Sequence, residues 1–337
     1  MNVRDVRYWI AIISLIAGCT AGAEAPTVNQ ADDPQHFASP TTLLTWTPAE
    51  QVAGYRNAER IFPTRPILAG AAPLALPLDL QDLTGLELTR GERSLSLSTY
   101  LTRQSVAGLL VIKNGKILYE YYGLGNDDSS RWISFSVTKS VVSLLIGAAI
   151  QDGYIDSAED KVTRYLPKLQ GSAYDDASIA DLLQMASGVT WNEDYADPDS
   201  DIATATWDTL SLYDFLRNKP RVAQPGKTFN YNTAETNLAG TLLRSAIGNN
   251  LSTYLSQKIW QPFGMEHDAR WNLTETGGGE FGGCCISATL RDYGRIGLFA
   301  LANGQLADGT RVLPANWMER STTPSRGNDG YGYFWWL

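Results

Sequence analysis

Histidine and cysteine are scarce in this chain of 337 residues, which holds two of the first and three of the second. His36 lies in a polar N-terminal stretch and His267 in Gly264-Met-Glu-His-Asp268, so both read as solvated surface residues and a Ser-His-Asp triad is disfavoured. Cys284 and Cys285 are adjacent, a spacing that strains a disulfide, and read as small buried residues. No metal-ligand spacing, phosphate-binding glycine loop or internal repeat occurs, and no metal or cofactor is expected. Positive charge is also short: the net charge of -9 argues against nucleic acid and against a basic membrane-binding surface. The apolar run over residues 8–17 is too short to span a bilayer.

What that run does fit is an export signal. Arg4 and Arg7 precede it and Gly18-Cys19-Thr20 follows, the order charged, apolar, small. Ile16-Ala17-Gly18-Cys19 resembles the bacterial lipobox, which implies a signal peptide over residues 1–19 and a lipid on Cys19; the alternative is an ordinary signal peptide whose cysteine is incidental. Thr20 in place of aspartate resembles the outer-membrane-sorted pattern, so the expected location is the periplasm, anchored to the outer membrane through Cys19. Residues 20–45, rich in Ala, Pro, Thr, Asp and Gln with little apolar periodicity, read as a flexible tether. The folded domain is expected over residues 46–337, opening near Trp46, with a helical lobe at roughly 150–250.

Within that domain the chain turns on Arg131-Trp-Ile-Ser-Phe-Ser-Val-Thr-Lys-Ser140. From Ser136 to about Asp152 the pattern is apolar nearly all round, as in a buried helix, and stops at Asp152-Gly153. Ser136 and Lys139 are three apart and share a helix face. A desolvated lysine loses its charge readily and can take a serine's proton, while first-turn N–H groups favour an anion at Ser136. Among the lysines, only Lys139 follows a serine at this spacing. The bland alternative is a buried serine with a snorkelling lysine.

Upstream, residues 108–113 and 116–122 flank Asn114-Gly115, a two-residue hairpin signal. Downstream, residues 179–185, 210–218 and 236–247 have helical patterns, and residues 284–301 read as a strand edge followed by a helix. Hairpin, helices, then strand and helix predict an α+β lobe interrupted by a helical lobe. With histidine set aside, Tyr231 in Pro225-Gly-Lys-Thr-Phe-Asn-Tyr231 is the best second proton carrier. Beside a lysine ammonium its phenolate would be favoured, making it a base for Ser136 and later an acid. Otherwise it is a packing aromatic with a satisfied hydroxyl.

Taken together, four stretches resemble the serine beta-lactamase-like superfamily: Phe135-Ser-Val-Thr-Lys-Ser140, Ile179-Ala-Asp-Leu-Leu-Gln-Met-Ala-Ser-Gly188, Pro225-Gly-Lys-Thr-Phe-Asn-Tyr231 and Gly282-Gly-Cys-Cys-Ile-Ser-Ala-Thr-Leu-Arg-Asp292. Trp191-Asn-Glu-Asp-Tyr-Ala-Asp-Pro198 looks most like the carboxylesterase and nylon-oligomer (aminohexanoate-dimer) hydrolase branch. The resemblance implies an antiparallel sheet flanked by helices beside an all-helical lobe, with a cleft between them. It implies Ser136, Lys139 and Tyr231 as catalytic residues. Tyr195 would close over the substrate, and Thr233, Gly282 and Gly283 would line the cleft. Because Tyr231-Asn-Thr233 carries threonine where beta-lactamases use an amide, penicillin turnover is disfavoured. The leading expectation is a serine hydrolase acting on a small-molecule ester or amide through an acyl-enzyme. A beta-lactamase or DD-peptidase acting on cell-wall substrates is second, and a non-catalytic binding lipoprotein third. Since relatives continue past a stretch resembling Tyr331-Gly-Tyr-Phe-Trp-Trp-Leu337, the C-terminal strands and closing helix are expected to be missing here.

Overall fold

A computed structural model describes residues 32–337. The chain enters through helices α1 (Pro48–Arg56) and α2 (Ala58–Ile61), strand β1 (Thr64–Ile67), the pair β2 (Glu87–Arg90) and β3 (Arg93–Ser96), and α3 (Leu97–Arg103). β4 (Gly108–Lys113), β5 (Lys116–Tyr122) and β6 (Arg131–Ile133) then lead into α4 (Val137–Gln151). Helices α5 (Val162–Tyr165), α6 (Ile179–Leu183), α7 (Asp201–Thr204), α8 (Thr209–Arg217), α9 (Thr233–Ile247) and α10 (Leu251–Leu255) follow. β7 (Ala269–Asn272), β8 (Ile286–Thr289), α11 (Leu290–Leu301) and α12 (Trp317–Ser321) complete the order.

The main sheet runs β1-β7-β8-β6, antiparallel throughout, and β2–β3 and β4–β5 are separate antiparallel pairs. This is the expected α+β architecture, and the named elements between residues 150 and 250 are all helical. The β4–β5 turn has φ of 53° at Asn114 and 74° at Gly115, the positive pair a tight hairpin requires. α11 lies on β4, where Gly294 faces Leu110 and Ile112.

Helix α4 is where sequence and packing meet most directly. Val142, Leu144, Leu145 and Ile146 are all buried in the main core, which also takes Leu183 from α6, Leu242 from α9, Trp271 from β7 and Trp317 from α12. Burying these four α4 side chains contributes roughly 6–12 kcal/mol by area, comparable to the net stability of a whole domain. A glycine in mid-helix costs about 1 kcal/mol against alanine. At Gly147 close approach explains it, because a Cβ there would lie 2.6 Å from Trp317 Nε1. The start of α4 is thus held on a helix packed on several sides by other helices and by the main sheet.

Two expectations are corrected. The segment 284–301 does contain a strand and a helix, but β8 pairs with both β7 and β6 and is an interior strand. Its polar Ser287 and Thr289 concealed that, although all four β8 residues are buried. The tether expected to reach residue 45 gives way to structure from Asp32 onward: Asp32 pairs with Arg56 at 3.1 Å, and Trp46 Nε1 donates to Ser39 O at 2.9 Å. Phe37, Ala38 and Leu43 pack on small apolar clusters beside α1, which composition alone did not reveal. The segment with Cys19 lies outside the described residues. Among those described, no helix is long and apolar enough to cross a membrane.

Candidate active site

Ser136 sits at the N-cap of α4, directly after Phe135, whose φ of 45° is an unusual backbone state for a bulky residue. Stitching to β8 holds it there. Ser134 N donates to Ile286 O at 2.7 Å, and Ile286 N donates to Ser134 Oγ and Thr138 Oγ1, each at 3.0 Å. Tyr55, from a Tyr-x-Asn sequence that lies ahead of Ser136 in the chain, packs edge-on against the Phe135 ring at 4.9 Å. It supports the turn from beneath.

Lys139, one α-helical turn on, is 1% exposed. Its Nζ donates to Ser136 Oγ at 3.1 Å and to Gly283 O at 2.7 Å. Burial lowers its pKa to about 7, with the Glu193 carboxylate opposing the shift. The amine is therefore about half neutral near pH 7, which is the state a base needs.

Tyr231 arrives on the far side, on a segment pinned to the end of α6. Gly226 N donates to Ala186 O and Asn230 N to Met185 O, both at 2.7 Å. Lys139 Nζ stands 5.2 Å from the ring centroid, and the Ser136 hydroxyl is near enough to bear on the phenol's ionisation. Its pKa is pushed up to about 12, mainly by burial, with the Ser136 hydroxyl pulling the other way. The sequence expectation of a phenolate beside an ammonium is therefore reversed. Desolvation disfavours both charged forms, so the proton rests on Tyr231 and the lysine carries the basic lone pair. On its outer face Tyr231 stacks on Trp336 at 5.8 Å, and Phe334 O accepts from Ser140 Oγ of α4 at 2.7 Å.

The remaining expected residues are brought to the same place, though not all in the expected way. Gly283 presents its carbonyl to Lys139, and a Cβ there would meet Thr233 Cγ2 at 2.7 Å and Thr233 O at 2.9 Å. Gly282 turns its N–H inward onto the buried Asn237 Oδ1 at 2.8 Å, so that donor is spent on holding the loop. Thr233, at the first turn of α9, gives its hydroxyl to Glu193 Oε1 and its N–H to Glu193 Oε2 at 3.0 Å. Tyr195 has an exposed ring and donates its hydroxyl to Glu193 Oε1 at 2.7 Å.

Glu193 and Asn237 are the members that the sequence reading missed. An acid in the polar Trp191-Asn-Glu-Asp-Tyr195 stretch looks like any solvated loop residue, and an asparagine inside a helix pattern carries no sign of burial. Cys284 and Cys285, read as small and buried, are indeed buried, and their sulfurs are in contact as a vicinal pair. His267, expected on the surface, is half-buried beside Asp292, at 3.8 Å.

A 6-aminohexanoate-dimer hydrolase of Paenarthrobacter ureafaciens is 34% identical over 220 residues, covering 62% of this chain and 55% of the relative. A beta-lactamase of Pseudomonas fluorescens is 28% identical, covering 50% and 47%. The chain thus spans about half the length of the curated relatives it matches. In three dimensions it superposes on a Bacillus anthracis protein described as a candidate 6-aminohexanoate-dimer hydrolase. The TM-score is 0.77 and the identity 23%, over 86% of this chain and 81% of the other, which shows a shared fold. Residues 97–337, most of the chain and including Ser136, Lys139, Glu193 and Tyr231, match the sequence model of the beta-lactamase family, and the chain belongs to that family.

Proposed function

We propose that the chain is a serine hydrolase that cleaves a carboxylic ester or small amide through an acyl-enzyme on Ser136. The observation that carries this reading is the 3.1 Å contact between Ser136 Oγ and a buried Lys139 amine, with the Tyr231 ring 5.2 Å from the same amine. Neutral Lys139 takes the Ser136 proton as Oγ attacks the carbonyl carbon. The Ser136 N–H at the positive end of α4 supplies one donor to the oxyanion, a contribution whose loss costs about a hundredfold or more in rate. Tyr231 gives its proton to the leaving group as the carbon–heteroatom bond breaks, and the Lys139 ammonium restores the proton to the phenolate. Water then attacks the acyl-enzyme by the same route and releases the acid.

Penicillin-type and D-Ala-D-Ala substrates are the second reading, supported by the relatives named beta-lactamase. The Thr233 hydroxyl weighs against it, being committed to Glu193 instead of facing a substrate amide. A panel of short p-nitrophenyl esters, nitrocefin and a D-Ala-D-Ala peptide, run on wild type and Ser136→Ala, separates these. Ester turnover lost with the serine supports the first reading, nitrocefin turnover the second, and no turnover on any substrate a binding protein on the same fold. We further propose export to the periplasm with a lipid on Cys19. Radioactive palmitate incorporated by wild type and by Cys19→Ser alike would reject it.

A further inference from the structure

The loop carrying Glu193 is tied to the start of α9. Four donors converge on this one carboxylate: Trp191 Nε1 and Thr233 N on Oε2, and Thr233 Oγ1 and the Tyr195 hydroxyl on Oε1. Two of them belong to the loop itself and two to the first turn of α9, which begins two residues after Tyr231. Fixing both oxygens in this way gives the carboxylate one orientation, and charge-assisted bonds of this kind are roughly twice as strong as neutral ones. We propose that Glu193 is the positioning residue of the site, locking the Tyr195 loop onto the turn that carries Tyr231 and holding a fixed negative charge toward Lys139.

Several groups bear on that charge. Lys139 faces Ser136 from its own helix, the Gly283 carbonyl from the loop before β8, the Tyr231 ring, and the field of Glu193. Glu193 in turn acts on Tyr231, Tyr195 and Tyr331. The three phenols are neutral at working pH, which leaves Glu193 as the counter-charge that bears on the Lys139 ammonium formed when Ser136 is deprotonated. Without it, burial alone would govern the lysine, and the ammonium would be harder to form at the moment of attack.

This inference rests on the proposed role of Lys139, and its test has one arm that does not need catalysis. Lysine 13Cε resonances would be followed by NMR against pH in wild type, Glu193→Gln and Glu193→Asp, with Lys139 assigned by its loss in Lys139→Ala. The Lys139 midpoint should fall by about one pKa unit in Glu193→Gln and recover in Glu193→Asp. Labelling of Ser136 by a fluorophosphonate should slow about tenfold in Glu193→Gln, with its acidic limb displaced to lower pH by the same amount. Glutamine turns one acceptor into a donor against Thr233 N–H or Trp191 N–H, so Glu193→Ala serves as the second charge-removing variant should glutamine prevent folding. An unmoved Lys139 midpoint in a folded variant overturns the inference even if Ser136 is labelled. A midpoint that falls in Glu193→Gln while no probe labels even the wild type upholds it and overturns the hydrolase reading instead.

Discussion

If Lys139 is the base, the pH dependence of Ser136 reactivity follows from where that lysine sits. Burial takes its pKa from 10.5 to about 7. The neutral fraction is then about a tenth at pH 6 and about nine tenths at pH 8, so the rate should rise roughly tenfold across that window and level off. A solvated lysine at 10.5 would give a rise of about a hundredfold over the same window, with no plateau. Tyr231, pushed up to about 12, keeps its proton throughout, so no alkaline fall is expected below pH 10. The assay is the second-order rate of fluorophosphonate labelling at half-unit steps from pH 5.5 to 9.5, on wild type and Lys139→Arg. Arginine cannot give up its proton and should abolish the reaction. A log–linear climb to pH 9.5, or a labelled arginine variant, would refute the reasoning.

Three further outcomes are expected. Gly283→Ala drives a Cβ against Thr233 and displaces the carbonyl that Lys139 grips. It should lower stability by about 1–3 kcal/mol and ester hydrolysis by tenfold or more, measured by thermal melts and initial rates. Tyr231→Phe keeps the stack on Trp336 but removes the acid. The loss should be on the order of a hundredfold or more for an alkyl ester and smaller for a p-nitrophenyl ester, whose leaving group needs no proton; equal losses on both would be contrary. Glu235, fully buried, has its pKa raised by desolvation to about 8 from 4.5, against hydrogen bonds from Ser187 and Tyr174. The unfolded chain ionises first, so stability should fall as pH rises from 4.5 to 8 and stay reduced above it. Glu235→Gln, which mimics the neutral acid, should flatten that slope and melt higher than wild type at pH 8.5; an unchanged slope would contradict it.

These predictions depend on features that differ in how legible they were. Helix α4 could be read because residues 141–150 are apolar but for one serine, and the hairpin because Asn114-Gly115 leaves the backbone few other turns. Ser136 and Lys139 stood out by their spacing, whereas Tyr231, one of sixteen tyrosines, was singled out by the scarcity of histidine together with the family resemblance of its segment. β1 could not: Pro66 sits in a four-residue strand at the sheet edge, where a missing N–H is tolerated, and so short a run has no period to detect. Glu193 stayed hidden because its role comes from four donors on two separate segments. The charge state of Tyr231 was misjudged because pairing it with Lys139 ignored the burial they share, and desolvation outweighs their attraction.

The central claim is that Ser136 is a nucleophile activated by Lys139. Fluorophosphonate labelling of the folded protein, with the site mapped by mass spectrometry in wild type and Lys139→Ala, tests it most directly. The account predicts label on Ser136 alone in the wild type and none in a variant that still melts cooperatively. Label on another serine, or equal labelling of Ser136 in Lys139→Ala, would contradict it.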